Sequence, residues 1–351
     1  MWKYRTGLES LPTYSVEEKE WDVKLDANES PVNLPPLVQE RVINRLSFLP
    51  FNRYPEMGML GLREQIAQSF NIAIDCVTIG SGSSEILLAL CHAFGGKDNC
   101  IVYPTPSFSM YGIYIKMADS TPIPVPLNAD YSVDRDKIVK AAQEFKASIV
   151  MLCNPNNPTG NVMSLVDVEY ILSQVECLVA VDEAYYEFYG ESAVGLLPKY
   201  KNLIVTRTFS KAYGLASARV GYMLAGADIT TAIGKVLMPY HVNALSLAAA
   251  EVVYQMRDEF AASIQQSIDE RNRLADALKL LPGLIVYPSE ANFLLIKTAL
   301  ASTLGAYLVE NNIGIREFTS PDLANCLRIS IGSPVENDKL LKAVKDCLAK
   351  G

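Results

Sequence analysis

The residue best suited to covalent chemistry is a lysine that follows small hydroxyl side chains. It stands in Thr206-Arg207-Thr208-Phe209-Ser210-Lys211-Ala212-Tyr213-Gly214, with Arg219 eight residues further on. The hydroxyls and the second cation give donors for an anion such as phosphate, and a neighbouring positive charge lowers an amine pKa. An amine brought toward neutrality is a nucleophile able to form an imine with a carbonyl. Taken alone, the motif also fits a surface loop that happens to carry one lysine.

Three other motifs bear on that lysine. Ser81-Gly82-Ser83-Ser84-Glu85 leads into Ile86, Leu87, Leu90 and Phe94 at helical spacing. A glycine turn opening a helix presents free N–H groups and the positive end of the helix dipole, which suits a phosphate. Taken alone the motif is weak, and an ordinary Gly-Ser helix cap is the favoured reading of it. There is neither a third glycine for a dinucleotide fingerprint nor the Gly-Lys-Ser/Thr of a Walker loop. The apolar run Ile149 to Leu152 enters Cys153-Asn154-Pro155-Asn156-Asn157-Pro158-Thr159-Gly160, a rigid turn rich in amide side chains. Leu178-Val179-Ala180-Val181 delivers Asp182 at a strand end, with Tyr185 three residues on. An acid in such a place either is solvated at a turn or needs a cationic partner to offset desolvation. Together these supply a phosphate cradle, an imine-forming amine, an acid able to hold a pyridine nitrogen protonated, and amide and phenol donors. Those are the parts that a pyridoxal 5'-phosphate site requires.

Such residues need a scaffold that gathers strand ends. Short β-rich runs alternate with helical patterns, which predicts an α/β body with a mostly parallel, seven-stranded sheet flanked by helices. The strands are expected at Cys76 to Gly80, Cys100 to Tyr103, Thr121 to Pro126, Ser148 to Cys153, Leu178 to Val181, Leu203 to Thr206 and Val220 to Leu224. Ligands of such sheets collect beyond the carboxyl ends of the strands, where all four motifs lie. From Leu245 to Leu281 the pattern is helical. Short strands at Leu284 to Tyr287, Asn292 to Lys297, Gly314 to Glu317 and Cys326 to Ile331 surround a helix near Leu300 to Glu310. A final helix opens with Ser333, Pro334 and Glu336, an N-cap, a first-turn proline and a capping-box acid. This reads as a large domain over 27–244, with 1–26 and 245–351 forming an N-terminal arm and a smaller α+β domain.

Composition removes other classes. Of 351 residues half are hydrophobic and a fifth charged, so a large core forms and disorder is not expected. The net charge of −8, without a basic run, argues against nucleic acid as a partner. Seven cysteines without a Cys-x-x-Cys pair, and only two histidines, leave no spacing for a histidine-based metal site and suggest reduced thiols. No stretch is long and apolar enough to span a bilayer. Met1 to Glu20 lacks a leader's apolar run, so a cytoplasmic location is expected.

In this order, Gly-Ser-Gly-Ser-Ser-Glu, Asn-Pro-Asn-Asn-Pro-Thr-Gly, Val-Asp-Glu-Ala-Tyr, Thr-Phe-Ser-Lys-Ala and Arg219 resemble the fold type I pyridoxal-phosphate aminotransferases over essentially the whole chain. Lys24-Leu25-Asp26-Ala27-Asn28-Glu29-Ser30-Pro31, Asn52-Arg53-Tyr54-Pro55, Ser289 to Phe293 and Cys326 to Gly332 are similar to their histidinol-phosphate branch. The resemblance implies transamination of L-histidinol phosphate with 2-oxoglutarate by a ping-pong course, with Lys211 as the aldimine lysine and proton-moving base. It implies Asp182 on the pyridinium nitrogen, Asn157 and Tyr185 on the ring oxygen, and Phe108 stacked on the ring. The cofactor phosphate would take Ser83, Ser84, Thr208, Ser210 and Arg219. A homodimer is implied, with Tyr54 reaching the neighbouring subunit's phosphate site. Tyr14, Asn157, Arg316 and Arg328 would receive the substrate. From alternation alone, Arg328 could equally lie on a solvated strand face, opposite Leu327, Ile329 and Ile331.

Two departures from the family pattern bear on substrate range: Ser217 and Ala218 stand where Gly and Leu are frequent, and Phe108 where Tyr is more common. Rival readings are an aromatic amino acid aminotransferase, a threonine-phosphate decarboxylase-like enzyme, and a non-catalytic pyridoxal-phosphate-binding sensor.

Overall fold

Period-two alternation sorts the strands of the larger sheet into two buried layers. The computed structural model describes Trp2, Gly7, Leu8, Leu11 and residues 19–350. Its strands are β1 (Val23–Leu25), β2 (Val77–Gly80), β3 (Cys100–Thr105), β4 (Thr121–Pro126), β5 (Ile149–Cys153), β6 (Leu178–Asp182), β7 (Leu203–Thr208), β8 (Gly221–Leu224), β9 (Ile285–Val286), β10 (Phe293–Lys297), β11 (Ile313–Glu317) and β12 (Cys326–Ser330). Its helices are α1 (Pro36–Ser47), α2 (Leu60–Phe70), α3 (Gly82–Phe94), α4 (Met110–Met117), α5 (Arg135–Glu144), α6 (Leu165–Gln174), α7 (Ala227–Gly234), α8 (Ala244–Gln255), α9 (Ala261–Lys279), α10 (Ala301–Glu310) and α11 (Pro334–Leu348). The seven-stranded sheet runs β2-β8-β7-β6-β5-β3-β4. All seven expected strands are in it, with ends shifted by one or two residues.

On β5 and β6, Val150, Leu152, Val179 and Val181 join one cluster, whereas Ile149, Met151, Cys153 and Ala180 join another on the opposite face. A parallel sheet covered by helices on both faces needs this near-continuous apolar run. Only β8 runs against its neighbours, pairing antiparallel with β2 and with β7. The carboxyl end of β2 therefore lies at the same edge as those of β7, β6 and β5.

The second sheet runs β1-β11-β12-β10-β9. Leu327, Ile329 and Ile331 bury under α9, α10 and α11 with Leu274, Leu304 and Leu340, so Arg328 and Ser330 face the other way. The capping box of Ser333 and Glu336 opens α11 with Pro334 in its first turn. Strand β1, too short to stand out in the sequence, pairs parallel with β11. The chain then passes directly to the larger body. The helical stretch after residue 244 is two helices split by a 3-10 turn, Arg257–Phe260. Leu247, Ala250 and Val253 of α8 pack in the large cluster, so the change of packing partner comes in α9, not at residue 245. No helix among the described residues is long and apolar enough to cross a membrane.

Candidate active site

Three glycine and hydroxyl positions meet at one sheet edge because of the strand register. Gly221 lies beside Gly80 on one side and Thr208 on the other. A Cβ on Gly221 would come within 2.3 Å of the Ser83 backbone nitrogen. Only a glycine lets β8 pass this close under the first turn of α3. Gly82 has φ of +76°, a left-handed conformation that glycine adopts freely, and its own Cβ would sit 2.8 Å from Arg219 Nη2. The helix start is fixed by Glu85, whose Oε2 accepts from the Ser81 N–H at 2.6 Å. Arg219 Nη1 donates to Ser210 Oγ at 3.2 Å, and Thr208 Oγ1 donates to the same oxygen at 3.0 Å. Ser83 and Ser84 in the first turn of α3, Thr208, Ser210 and Arg219 thus form one cradle of donors at a helix N-terminus.

Next to it, Lys211 Nζ donates to the Ala27 carbonyl at 2.9 Å. Burial, helped by the charges of Arg328 and Arg219, pulls the Lys211 amine down to about 7. Asp182 ends β6 and is 3% exposed. Tyr111 donates to its Oδ2 at 2.9 Å and Thr206 to its Oδ1 at 3.2 Å. Burial pushes the carboxyl up to about 6, with the charge of Glu183 adding to the effect and the two hydroxyls opposing it. No described residue forms a salt bridge with Asp182. The reading of Asp182 as a solvated turn residue is therefore excluded, and the site offers a buried carboxylate in want of a cation.

Tyr185 packs edge-on to Phe293, with ring centroids 5.1 Å apart, and its hydroxyl accepts from Asn157 Nδ2 at 3.2 Å and Asn28 Nδ2 at 3.0 Å. Burial holds this phenol well above its usual range. The Asn-Pro turn is tied internally: Asn154 exchanges hydrogen bonds with the Met163 backbone, and Asn156 donates to the Pro106 carbonyl and accepts from Ser107. That leaves Asn157 to face the site. Its Oδ1 accepts from Arg328 Nη1 at 2.7 Å, while Arg328 Nη2 donates to the Asp26 carbonyl at 2.6 Å. Arg328 is 8% exposed, so it does not lie on a solvated strand face. Arg316, half-buried, sits opposite Arg328 in the β11–β12 register.

Phe108 packs edge-on to Tyr111, with ring centroids 5.5 Å apart, beside the tyrosine that donates to Asp182. Tyr54 is 80% exposed and stacks on Tyr240 at 4.6 Å. Tyr14 lies outside the described residues. Asn28 and Tyr111 also belong to the site and carry no signal of their own, Asn28 within a motif marked only by its resemblance and Tyr111 within an apolar run. Thr206 opens the hydroxyl–lysine motif, but its contact with Asp182 is set by the pairing of β6 with β7.

The residues present fit pyridoxal 5'-phosphate: an unpaired buried carboxylate for a pyridinium nitrogen, an amine near neutrality for an aldehyde, and a cradle of backbone and hydroxyl donors for a phosphate. Among the described residues no group of histidine, cysteine, aspartate and glutamate has the arrangement to hold a metal ion.

Fold and site define an aminotransferase. Residues 21–344 match the family model for aminotransferase class I and II, and the chain belongs to that family. It is similar to the histidinol-phosphate aminotransferase of Caldanaerobacter subterraneus, 37% identical over 98% of both chains. It is also similar to that of Thermococcus kodakarensis, 37% identical over 97% of both. The solved histidinol-phosphate aminotransferase of Sinorhizobium meliloti, in complex with pyridoxal-5'-phosphate, superposes with a TM-score of 0.91 at 23% identity, covering 99% of this chain and 98% of that one, which establishes the shared fold.

Proposed function

We propose that this aminotransferase binds pyridoxal 5'-phosphate and transfers the amino group of L-histidinol phosphate to 2-oxoglutarate in two half-reactions at one site. The observation that carries the reading is that amine and anion anchor hang on adjacent carbonyls. Lys211 Nζ is held by Ala27 and Arg328 Nη2 by Asp26. A substrate reaching both would bear an amine at one end and an anion at the other. The curated relatives named histidinol-phosphate aminotransferase support the choice of amine.

When bound, the cofactor supplies a carbonyl to carry the amino group and a ring that draws off an electron pair. Asp182 keeps the ring nitrogen protonated and gains the cation that its burial demands. Asn157 and Tyr185 donate to the ring oxygen. The α3 N-terminus, with Ser83 and Ser84, joins Thr208, Ser210 and Arg219 in holding the phosphate. Lys211 is the covalent anchor and then the base at the substrate Cα, its amine brought toward neutrality at physiological pH by burial and by the charge of Arg328. A positioned base of this kind contributes roughly 10² to 10⁴ in rate. Arg328 and Arg316, with Tyr14, take the substrate phosphate and, in the second half-reaction, a carboxylate of 2-oxoglutarate, since a guanidinium suits both. The protein works as a homodimer with Tyr54 reaching over to the neighbouring cofactor phosphate. Its 80% exposure in one chain supports a role outside its own subunit.

The test is a single-turnover absorbance measurement on cofactor-loaded protein with L-histidinol phosphate, L-glutamate, L-phenylalanine and L-tyrosine in parallel. Rapid conversion by the first two and slow conversion by the aromatic pair is expected. Fast aromatic conversion with none by histidinol phosphate would move the substrate to aromatic amino acids. Carbon dioxide release would move the reaction to decarboxylation.

A further inference from the structure

Both acceptor positions of one phenol oxygen are occupied by amides whose own orientation is fixed. The Asn157 amide cannot turn, because its Oδ1 faces Arg328 Nη1, a group that only donates. One of the two Nδ2 protons is therefore given to Tyr185, and the other is left for the cofactor ring oxygen. Asn28 is fixed from two sides. Its backbone N–H donates to Ser330 Oγ at 2.8 Å, and Ser330 Oγ donates back to Asn28 Oδ1 at 2.9 Å. The Asn28 carbonyl in turn accepts from Asn292 Nδ2 at 3.1 Å. With its oxygen so held, Asn28 presents Nδ2 to the Tyr185 hydroxyl. A tyrosine hydroxyl has one proton to give, and here both directions in which it accepts are filled.

We propose that Asn28 is a positioning residue for the amine transfer: with Asn157 it fills the acceptor positions of the Tyr185 oxygen, so that the phenol's one proton is aimed at the cofactor ring oxygen. The inference rests on the functional reading above. Asn28 touches neither cofactor nor substrate in this role and acts only through Tyr185. Its φ of +53° is a left-handed conformation that asparagine tolerates and most side chains do not.

The experiment is a spectroscopic pH titration of cofactor-loaded protein, following the visible band of the bound cofactor, in a double-mutant cycle. Asn28→Gly removes the amide and keeps the left-handed backbone accessible. A donor aimed at the ring oxygen favours its anion, so loosening that donor raises the pH at which the band titrates. Asn28→Gly is expected to raise it by about half a pH unit, the scale of one neutral hydrogen bond. In a Tyr185→Phe background the same substitution is expected to change nothing further, because the group it acts through is gone. Ser330→Ala leaves residue 28 intact but frees its amide to turn, and should give a smaller shift of the same sign. An unchanged titration in both Asn28→Gly and Ser330→Ala, or an equal Asn28→Gly shift with and without the Tyr185 hydroxyl, overturns the proposal while leaving the functional reading intact. A wild-type protein that gains no visible band on adding pyridoxal 5'-phosphate overturns both.

Discussion

Replacing Asp182 by asparagine should stabilise the cofactor-free protein and destabilise the loaded one relative to wild type. Without cofactor, the carboxyl is buried with two hydroxyl donors and no salt-bridge partner among the described residues. Its pKa moves from 3.8 to about 6, which at 1.36 kcal/mol per pH unit corresponds to about 3 kcal/mol of unfavourable burial once the group is ionised. The raised value means that the native state holds the proton more tightly than the unfolded chain, so wild-type stability falls as pH rises from about 4 to about 6 and then levels. Asparagine carries no charge and avoids this cost. Part of the gain is lost because its amide nitrogen meets hydroxyls that had been donating, so the net expectation is a gain of about 1 to 3 kcal/mol at pH 7.5. Urea unfolding of cofactor-free wild type and Asp182→Asn at pH 4, 5, 6 and 7.5 measures it. The difference should grow from near zero at pH 4 to its full value above pH 6. Adding cofactor should reverse the order, since the ring nitrogen supplies the cation that the carboxylate lacks and the amide cannot use it. A variant no more stable than wild type at pH 7.5, or a difference that does not vary with pH, would refute the account of Asp182.

Other consequences concern the remaining parts of the site. With burial holding the Lys211 amine near 7, capture of pyridoxal 5'-phosphate by the cofactor-free protein, trapped with borohydride and mapped to Lys211, should rise with pH through about 7; a rise only near 10 would contradict the assignment. Lys211→Ala should still bind the cofactor noncovalently but show no turnover in steady-state assays. Gly221→Ala would place a methyl 2.3 Å from the Ser83 nitrogen and displace the phosphate turn, so cofactor affinity measured by absorbance titration should fall about tenfold or more, and unchanged affinity would count against the cradle. If Tyr54 serves the neighbouring subunit, mixing Tyr54→Phe and Lys211→Ala chains under exchange conditions should restore activity above that of either parent, since each mixed dimer contains one complete site; no gain would argue against sharing.

The parts of this protein that were legible in the sequence are those that a local pattern specifies. Short apolar, β-rich runs between helical patterns located every strand of the large sheet, and turn and hydroxyl chemistry marked the strand ends where Lys211, Asp182 and Asn157 stand. Ser333, Pro334 and Glu336 announced α11 because a capping box is completed within four residues. What escaped is set by contacts between distant segments. Val23–Leu25 is too short for periodicity to single out, and is a strand only because Ile313–Ile315 pairs with it. The break between α8 and α9 was hidden because both halves are helical and only their packing partners differ.

Arg328 shows the same limit at the site itself. Alternation correctly set it opposite Leu327 and Ile329, but whether that face met water or protein depended on a carbonyl 302 positions earlier in the chain. Asn28 is as far from Ser330, the residue that fixes its amide, and Tyr111 is 71 positions from the carboxylate it supports. These residues do not perform the chemistry that a motif advertises. They decide the direction of a hydroxyl proton, or how much charge a buried acid will bear, and they do so through partners chosen by the fold. A sequence motif can therefore identify the amine, the acid and the phosphate turn, whereas the control of their protons is a property of the assembled strand ends and of the segment from Asp26 to Asn28 that crosses them.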